Sequence, residues 1–250
     1  MKKILLTTIA TLLITFTFAQ NKILFKVNPT EGKTLNYEML TITDIDGAQS
    51  MVMEMNILMS MTPTDITEDG LKLSTKMTHI KMDMDAGLMA LSYDSSKEPS
   101  NQMEEMFAAQ LKPLLATTMT TILDRFGNVK DVDLGSIDAQ LFDDASMKNF
   151  SINYPNNPIS IGESWTSESK IEKLSATAKT TNTFTEETTE GYKITTNTTL
   201  IDTNGNTIGN TLANSIVDKV TFLTISNSSE GTMDIQGNTI KVKSDMKRVN

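Results

Sequence analysis

Apolar and polar positions alternate along most of this chain. The alternation is longest from Ser50 to Thr62, where Met51, Met53, Met55, Ile57, Met59 and Met61 fall on one side and Glu54, Asn56 and Ser60 on the other. A period of two sustained over that length predicts a half-buried β-strand, because successive strand side chains point to opposite faces of a sheet. A strand from Thr34 to Asp44 precedes it across a turn at Asp46-Gly47. Pro63 is expected to stop the second strand, Asp69-Gly70 to turn the chain, and Leu71 to Asp85 to form its partner. In that partner the apolar side switches parity, from Leu71, Leu73 and Met77 to Ile80, Met82 and Met84. One extra residue, a bulge near Thr78-His79, reconciles the two halves. A short strand, Leu88 to Tyr93, closes the meander.

From Ser100 to Lys112 the period lengthens to that of a helix, with Met103, Met106, Phe107, Gln110 and Leu111 on one side and Asn101 and Glu104 spaced as a capping box. Pro113 is expected to end or kink it. Strands then follow over Leu115 to Leu123 and Val129 to Leu134, around a turn at Arg125-Phe126-Gly127-Asn128. A weaker helix is predicted over Ser136 to Lys148, and Pro155 and Pro158 break regular structure between Asn153 and Gly162. The remaining third reads as strands: one starting at Ser164-Trp165-Thr166, then Lys170 to Glu186, Gly191 to Asp202, Val220 to Ser228, and a hairpin from Gly231 to Val249 around Gln236-Gly237-Asn238. Asn204-Gly205 is a signal for a primed turn. Long strands with tight turns predict a β-rich α+β fold: one large curved antiparallel sheet, a half-barrel, with one or two helices packed in its concavity. Residues 20–250 form a single domain in this reading, with a crossing loop near residues 153–163.

The first nineteen residues alter the picture of where the chain works. Lys2 and Lys3 precede an apolar run from Ile4 to Phe18, and Ala19 stands before Gln20, the pattern of a cleavable export signal over residues 1–19. The run is too short and too threonine-rich for a permanent span of ~20 residues. Cleavage removes two lysines and no acid, taking the net charge from −9 to about −11. That charge, with no basic cluster, argues against nucleic acid as a partner. The chain has no cysteine, so it has no disulfide, thiolate metal site or lipid-modified cysteine. The expected product is periplasmic or secreted, soluble, not a lipoprotein, and without a transmembrane segment in its mature part.

The run Leu123-Asp124-Arg125-Phe126-Gly127-Asn128-Val129, followed by Tyr154-Pro155-Asn156-Asn157-Pro158-Ile159-Ser160-Ile161-Gly162-Glu163-Ser164-Trp165, resembles a family of secreted proteins of unknown function from Bacteroidetes-type bacteria. The resemblance implies an exported β-rich domain and assigns no catalytic residue. In outline, the expected half-barrel is also similar to periplasmic lipoprotein carriers and related lipid-binding proteins, which implies an apolar ligand.

Candidate chemistry is sparse. His79 is the one histidine and no Gly-x-Ser-x-Gly elbow occurs, which leaves no material for a Ser-His-Asp triad. The adjacent acids Glu186 and Glu187 point to opposite faces of a strand and do not share a substrate bond. Two segments, Asp44-Ile45-Asp46-Gly47 and Asp202-Thr203-Asn204-Gly205-Asn206, imitate calcium loops, but hairpin turns explain both. Trp165 is expected to anchor the crossing loop to the sheet. The 17 methionines stand out. Thioethers on one strand face either line an apolar space or ligate Cu(I), with His79 joining them only if it shares that face. The sequence therefore reads as a non-enzymatic exported protein with no cofactor, offering a concavity lined by Met51, Met53, Met55, Met59, Met61, Met82, Met84, Met106 and Phe107 to a lipid or another apolar molecule. A structural or protein-interaction module of the cell envelope, with envelope proteins as partners, is the alternative, and a periplasmic copper-binding protein a lower one.

Overall fold

The computed structural model describes residues 22–47, 50–87, 89–137 and 152–249. The predicted first helix and the strands around it appear in order: β1 (Leu35–Asp46), β2 (Met51–Ile66), β3 (Gly70–Asp85), β4 (Ala90–Asp94), α1 (Gln102–Ala116), β5 (Thr118–Asp124) and β6 (Val129–Asp133). The second half is a meander of β7 (Ser164–Ile171), β8 (Ala176–Glu187), β9 (Tyr192–Asp202), β10 (Thr207–Val217), β11 (Thr224–Ile235) and β12 (Asn238–Val249). All pair antiparallel in one open sheet of order β6-β5-β3-β2-β1-β12-β11-β10-β9-β8-β7, with β4 beside the second half of β3. The seam between the two halves is the pairing of β1 with β12. The export signal and the predicted helix over Ser136 to Lys148 lie outside the described residues, the latter except for its first two positions.

Several local expectations are met and several are corrected. The register of β2 against β3 shifts so that Leu58 faces His79 and Met59 faces Met77, leaving Thr78 as the extra residue. The bulge keeps Leu71, Leu73 and Met77, then Ile80 and Met82, buried on one face. Pro63 does not stop β2. Beyond Met61 that strand has run past β1 and pairs only with β3, so the missing N–H of Pro63 costs no ladder bond, and its carbonyl accepts from Gly32 N at 2.8 Å. Pro113 does not end α1 either, because the helix runs on to Ala116. Asn101 caps its start by accepting from Met103 N and Glu104 N, while the Glu104 carboxylate takes Ser100 N and Oγ.

The segment Lys170 to Glu186 is not one strand. A 3-10 turn, Glu172–Leu174, followed by left-handed Ser175, separates β7 from β8. A further strand, β10, has no counterpart among the predicted strands, because TIGNTLANSIV has too few large apolar residues to show a period. Asn204-Gly205 is not a primed turn, since among the two only Gly205 has positive φ. The primed geometry lies at Gln236-Gly237, with φ of 53° and 82°.

Two turns share one design. Asp124-Arg125-Phe126-Gly127-Asn128 and Asp202-Thr203-Asn204-Gly205-Asn206 each close with bonds from the Gly N–H to the Asp carbonyl and from the Asp N–H to the Asn carbonyl. In each, Asp Oδ1 accepts the backbone N–H groups two and four residues on, and the Asn side chain bonds the same carboxylate. The carboxylate of Asp202 is thus occupied by its own turn, as hairpin geometry rather than a calcium loop. These bonds hold both carboxyl groups below their ordinary range; for Asp124 burial opposes the charge, and the donors outweigh it. Asp218 is low for a similar reason: burial raises it, and Thr221 N and Val220 N lower it further. A depressed folded-state pKa supplies stability above the unfolded carboxyl value of about 4, and that stability is lost as pH falls through the folded value. Urea midpoints should therefore stay level from pH 7 to about 5 and decline below about 4.

Curvature follows from what the core joins. Leu71, Leu73 and Leu123 of β3 and β5 belong to one buried cluster with Phe184, Ile194 and Val217 of β8, β9 and β10. In a flat sheet β3 and β10, five strand intervals apart, would be separated by about 24 Å. The sheet curls, and the N-terminal segment fills the closed end. Phe25, fully buried, lies with its ring centroid 5.2–5.5 Å from those of Phe184, Tyr154, Tyr192 and Phe222, and 6.4 Å from Trp165. The segment is stitched on all sides: Ile23 pairs with Ile159 of the crossing loop, Val27 N reaches Arg125 O, and Asn28 N reaches Thr221 O. Trp165 Nε1 donates to Asn153 O, the anchoring role expected of it.

Candidate functional site

The strand register places one continuous face on the concave side. One row runs from Ser167 on β7 through Thr180, Thr198, Thr211 and Gly231 to Val242 on β12. It continues through Thr43, Met53 and Met84 to Leu91 on β4. The row beside it passes Asn182, Thr196, Ala213, Ser229, Ser244 and Thr41 before reaching Met55, Met82 and Tyr93. The lining thus grades from small residues on β8–β11 to methionine on β2 and β3.

Helix α1 covers the methionine end. Phe107, Ala108 and Leu111 pack against Met82, Leu91 and Tyr93, with Met53 and Met84 partly buried beside them. Leu114, with partly buried Leu111 and Leu115, joins Ile57, Met77, Ile80 and Met119, and Met55 and Met59 pack against this group. Met82 is 4% exposed, so the space directly beneath the helix is filled. Met51 sits half-buried at the open end of β2, and Met61 packs against the Phe25 cluster at the other. Met106 is placed differently from the expectation. It is 58% exposed and outside these clusters, because the buried stripe of α1 follows Phe107, Leu111 and Leu114.

The small-residue half, which the sequence reading missed, stays half-exposed: Thr198, Thr211, Gly231, Val242 and Thr43 are neither buried nor fully open. Several of its polar groups are tied sideways within the sheet. Thr180 and Thr198 share a hydroxyl bond of 3.0 Å, Thr41 and Ser244 one of 3.2 Å, and Thr196 Oγ1 donates to Asn182 Oδ1 at 2.7 Å. Ser215 Oγ donates to Asn227 Oδ1 at 3.2 Å. At these pairs the hydroxyls are satisfied by cross-strand neighbours and leave methyl and methylene groups as the lining, which with Ala213, Gly231 and Val242 makes the floor uncharged and largely apolar. The one signal in sequence was the pair of threonines two apart in β9, Thr196 and Thr198, with Thr180 alone facing them from β8.

The histidine is elsewhere. Behind the Thr78 bulge, His79 pairs with Leu58 on the convex side, where its Nε2 meets Asp94 Oδ1 at 2.9 Å. Bonds from the Ser96 hydroxyl and N–H, with that of His79, hold the Asp94 carboxyl well below the usual range. His79 therefore does not join the methionines of the concave face. At the closed end Tyr37 OH donates to Thr224 O, and burial pushes its pKa up to about 12. Tyr154 OH donates to Phe222 O and is likewise raised by burial. Both are structural hydroxyls rather than proton donors poised near neutrality.

No protein-family model matches the sequence, and no curated protein matches it. Among solved structures, the chain is similar to one described as lipid-protein interactions in lipovitellin, at 10% identity and a TM-score of 0.57, over 88% of this chain and 25% of that one. It thus spans a quarter of the length of that protein, and the likeness is one of sheet architecture. A putative outer membrane lipoprotein-sorting protein domain from Vibrio parahaemolyticus matches at 7% identity and a TM-score of 0.28, with 85% of each chain covered. A DUF1329 family protein from Desulfovibrio piger matches at 6% identity and a TM-score of 0.29, also with 85% of each covered. The last two superpose too loosely to support an inference.

Proposed function

We propose that this chain is an exported, non-enzymatic binding protein that holds a lipid or a similar apolar molecule against its concave face. The observation that carries the reading is the half-exposed floor of β8–β12 and β1, which bears no charge, carries Ala213, Gly231 and Val242, and has several of its hydroxyls paired within the sheet. An exposed apolar surface of several strands is costly in water unless something covers it. The filled methionine layer under α1 forms one wall and the Phe25 cluster closes one end, so the floor is the part left to a ligand. The lipovitellin-like architecture, in a structure described by its lipid-protein interactions, agrees with this reading. The signal pattern of residues 1–19 and the resemblance to secreted proteins support export, and no described helix is long and apolar enough to cross a membrane.

The test begins with protein isolated from its producing cells and examined by native mass spectrometry before and after organic extraction. A non-covalent mass lost on extraction is expected, together with uptake of the neutral dye N-phenyl-1-naphthylamine by the stripped protein. A stripped, folded protein that leaves this dye unbound overturns the reading.

A further inference from the structure

We propose that the ligand of the concave face is an acyl chain whose head group bears no negative charge, and that the site rejects the corresponding anion. The inference rests on the apolar-site reading above and adds a selectivity to it. Between the Phe25 cluster and the open end, the rows of the concave face carry no charged side chain among the described residues. Arg248, the cation on that face, stands at the closed end, where Asp218 Oδ2 lies 3.5 Å from its Nη2. Nothing on the floor offers a carboxylate or phosphate a cationic partner, and the hydroxyls of Thr41, Thr180, Thr196, Thr198 and Ser244 are engaged in bonds within the sheet.

A head group must then sit at the open end, where β1, β3, β9 and β11 finish. Acids outnumber bases around that rim, on the turns and on the outward side of the strand ends: Asp44, Asp46, Asp85, Glu168, Glu172, Asp202 and Asp234 stand against Lys170, Lys173, Lys179 and Lys241. With a whole-chain charge of −9, an anion approaching this end meets like charge within a Debye length of about 8–10 Å. A neutral or zwitterionic head group meets no such penalty.

Two ligands with the same chain and different charge decide the matter: monomyristin, a neutral ester, and myristate, its free carboxylate. Each is used to displace N-phenyl-1-naphthylamine from the full chain at pH 7.5 and low salt. Monomyristin is expected to displace the dye at about tenfold lower concentration or better, a difference of about 1.4 kcal/mol. The ratio should shrink at 0.5 M salt and in the double variant Asp44→Asn, Asp46→Asn. Equal displacement by the two ligands, or a ratio unmoved by both salt and the variant, overturns the selectivity and leaves the apolar site standing. A dye that does not bind at all overturns both.

Discussion

Phe25→Ala is expected to lower the unfolding free energy by about 3–5 kcal/mol. The ring is fully enclosed, with Phe184, Tyr154, Tyr192 and Phe222 around it, so truncation loses both its transfer free energy and its edge and stacking contacts. The surrounding rings come from β8, β9, the crossing loop and the β10–β11 turn, and collapse into the void would require all of them to move. Phe25 also links Leu71 and Leu73 on β3 to Ile194 and Val217 across the curled sheet, so its loss loosens the joint that holds the two halves together. Since domains of this kind are stable by only about 5–15 kcal/mol, the change should be obvious in a guanidinium titration. Phe25→Leu, which refills most of the volume, should cost much less. A loss below about 1 kcal/mol for the alanine variant would show that the plug is not what closes this end.

Val242→Glu is expected to weaken binding of N-phenyl-1-naphthylamine about 100-fold or more. Val242 lies in the middle of the half-exposed floor, with Gly231 and Thr43 as its cross-strand neighbours. A carboxylate there would have to be desolvated beneath a bound apolar molecule, with no cation in its row to pair with. Because the position is open to water in the unliganded protein, the fold itself should tolerate the change, which circular dichroism and a urea midpoint would verify. Thr232→Glu supplies the comparison. It adds the same charge to the neighbouring strand, but on the exposed convex face and opposite Lys241. That variant should bind as the parent does, whereas equal loss in both variants would point to a general charge effect rather than to the concave face.

The sheet was legible wherever large apolar residues kept a period. Met51 to Met61 gave β2, and the parity switch between Met77 and Ile80 located the Thr78 bulge, because a bulge is the only cheap way to keep both halves buried. Prolines misled where their cost depends on neighbours that the sequence does not display. Pro63 is harmless because β1 has ended beside it, and Pro113 gives up one helical bond, to the Ala109 carbonyl, while the packing of Leu114 and Leu115 carries α1 on to Ala116. Met106 satisfies the helical period as well as Phe107 does, and only the docking of α1 on β3 and β4 decides which of them turns inward. The floor was the hardest part to see. Thr180, Thr198, Thr41 and Ser244 read as polar one by one, and turn their methyl and methylene groups outward only through hydroxyl bonds to the neighbouring strand, which for Thr41 and Ser244 lies 203 residues away in sequence.

The central claim, that the concave face is where an apolar molecule binds, is tested most directly by NMR of protein carrying 13C-labelled methionine methyl groups, titrated with monomyristin. Half-buried methionines are spread over that face on five strands, with Met39 on β1, Met51 and Met53 on β2, Met84 on β3, Met233 on β11 and Met246 on β12, while Met103 and Met106 lie exposed on α1. The account predicts saturable shifts at Met39, Met233 and Met246, with Met103 and Met106 unmoved. Shifts confined to Met103 and Met106, or none at saturating ligand, would contradict it.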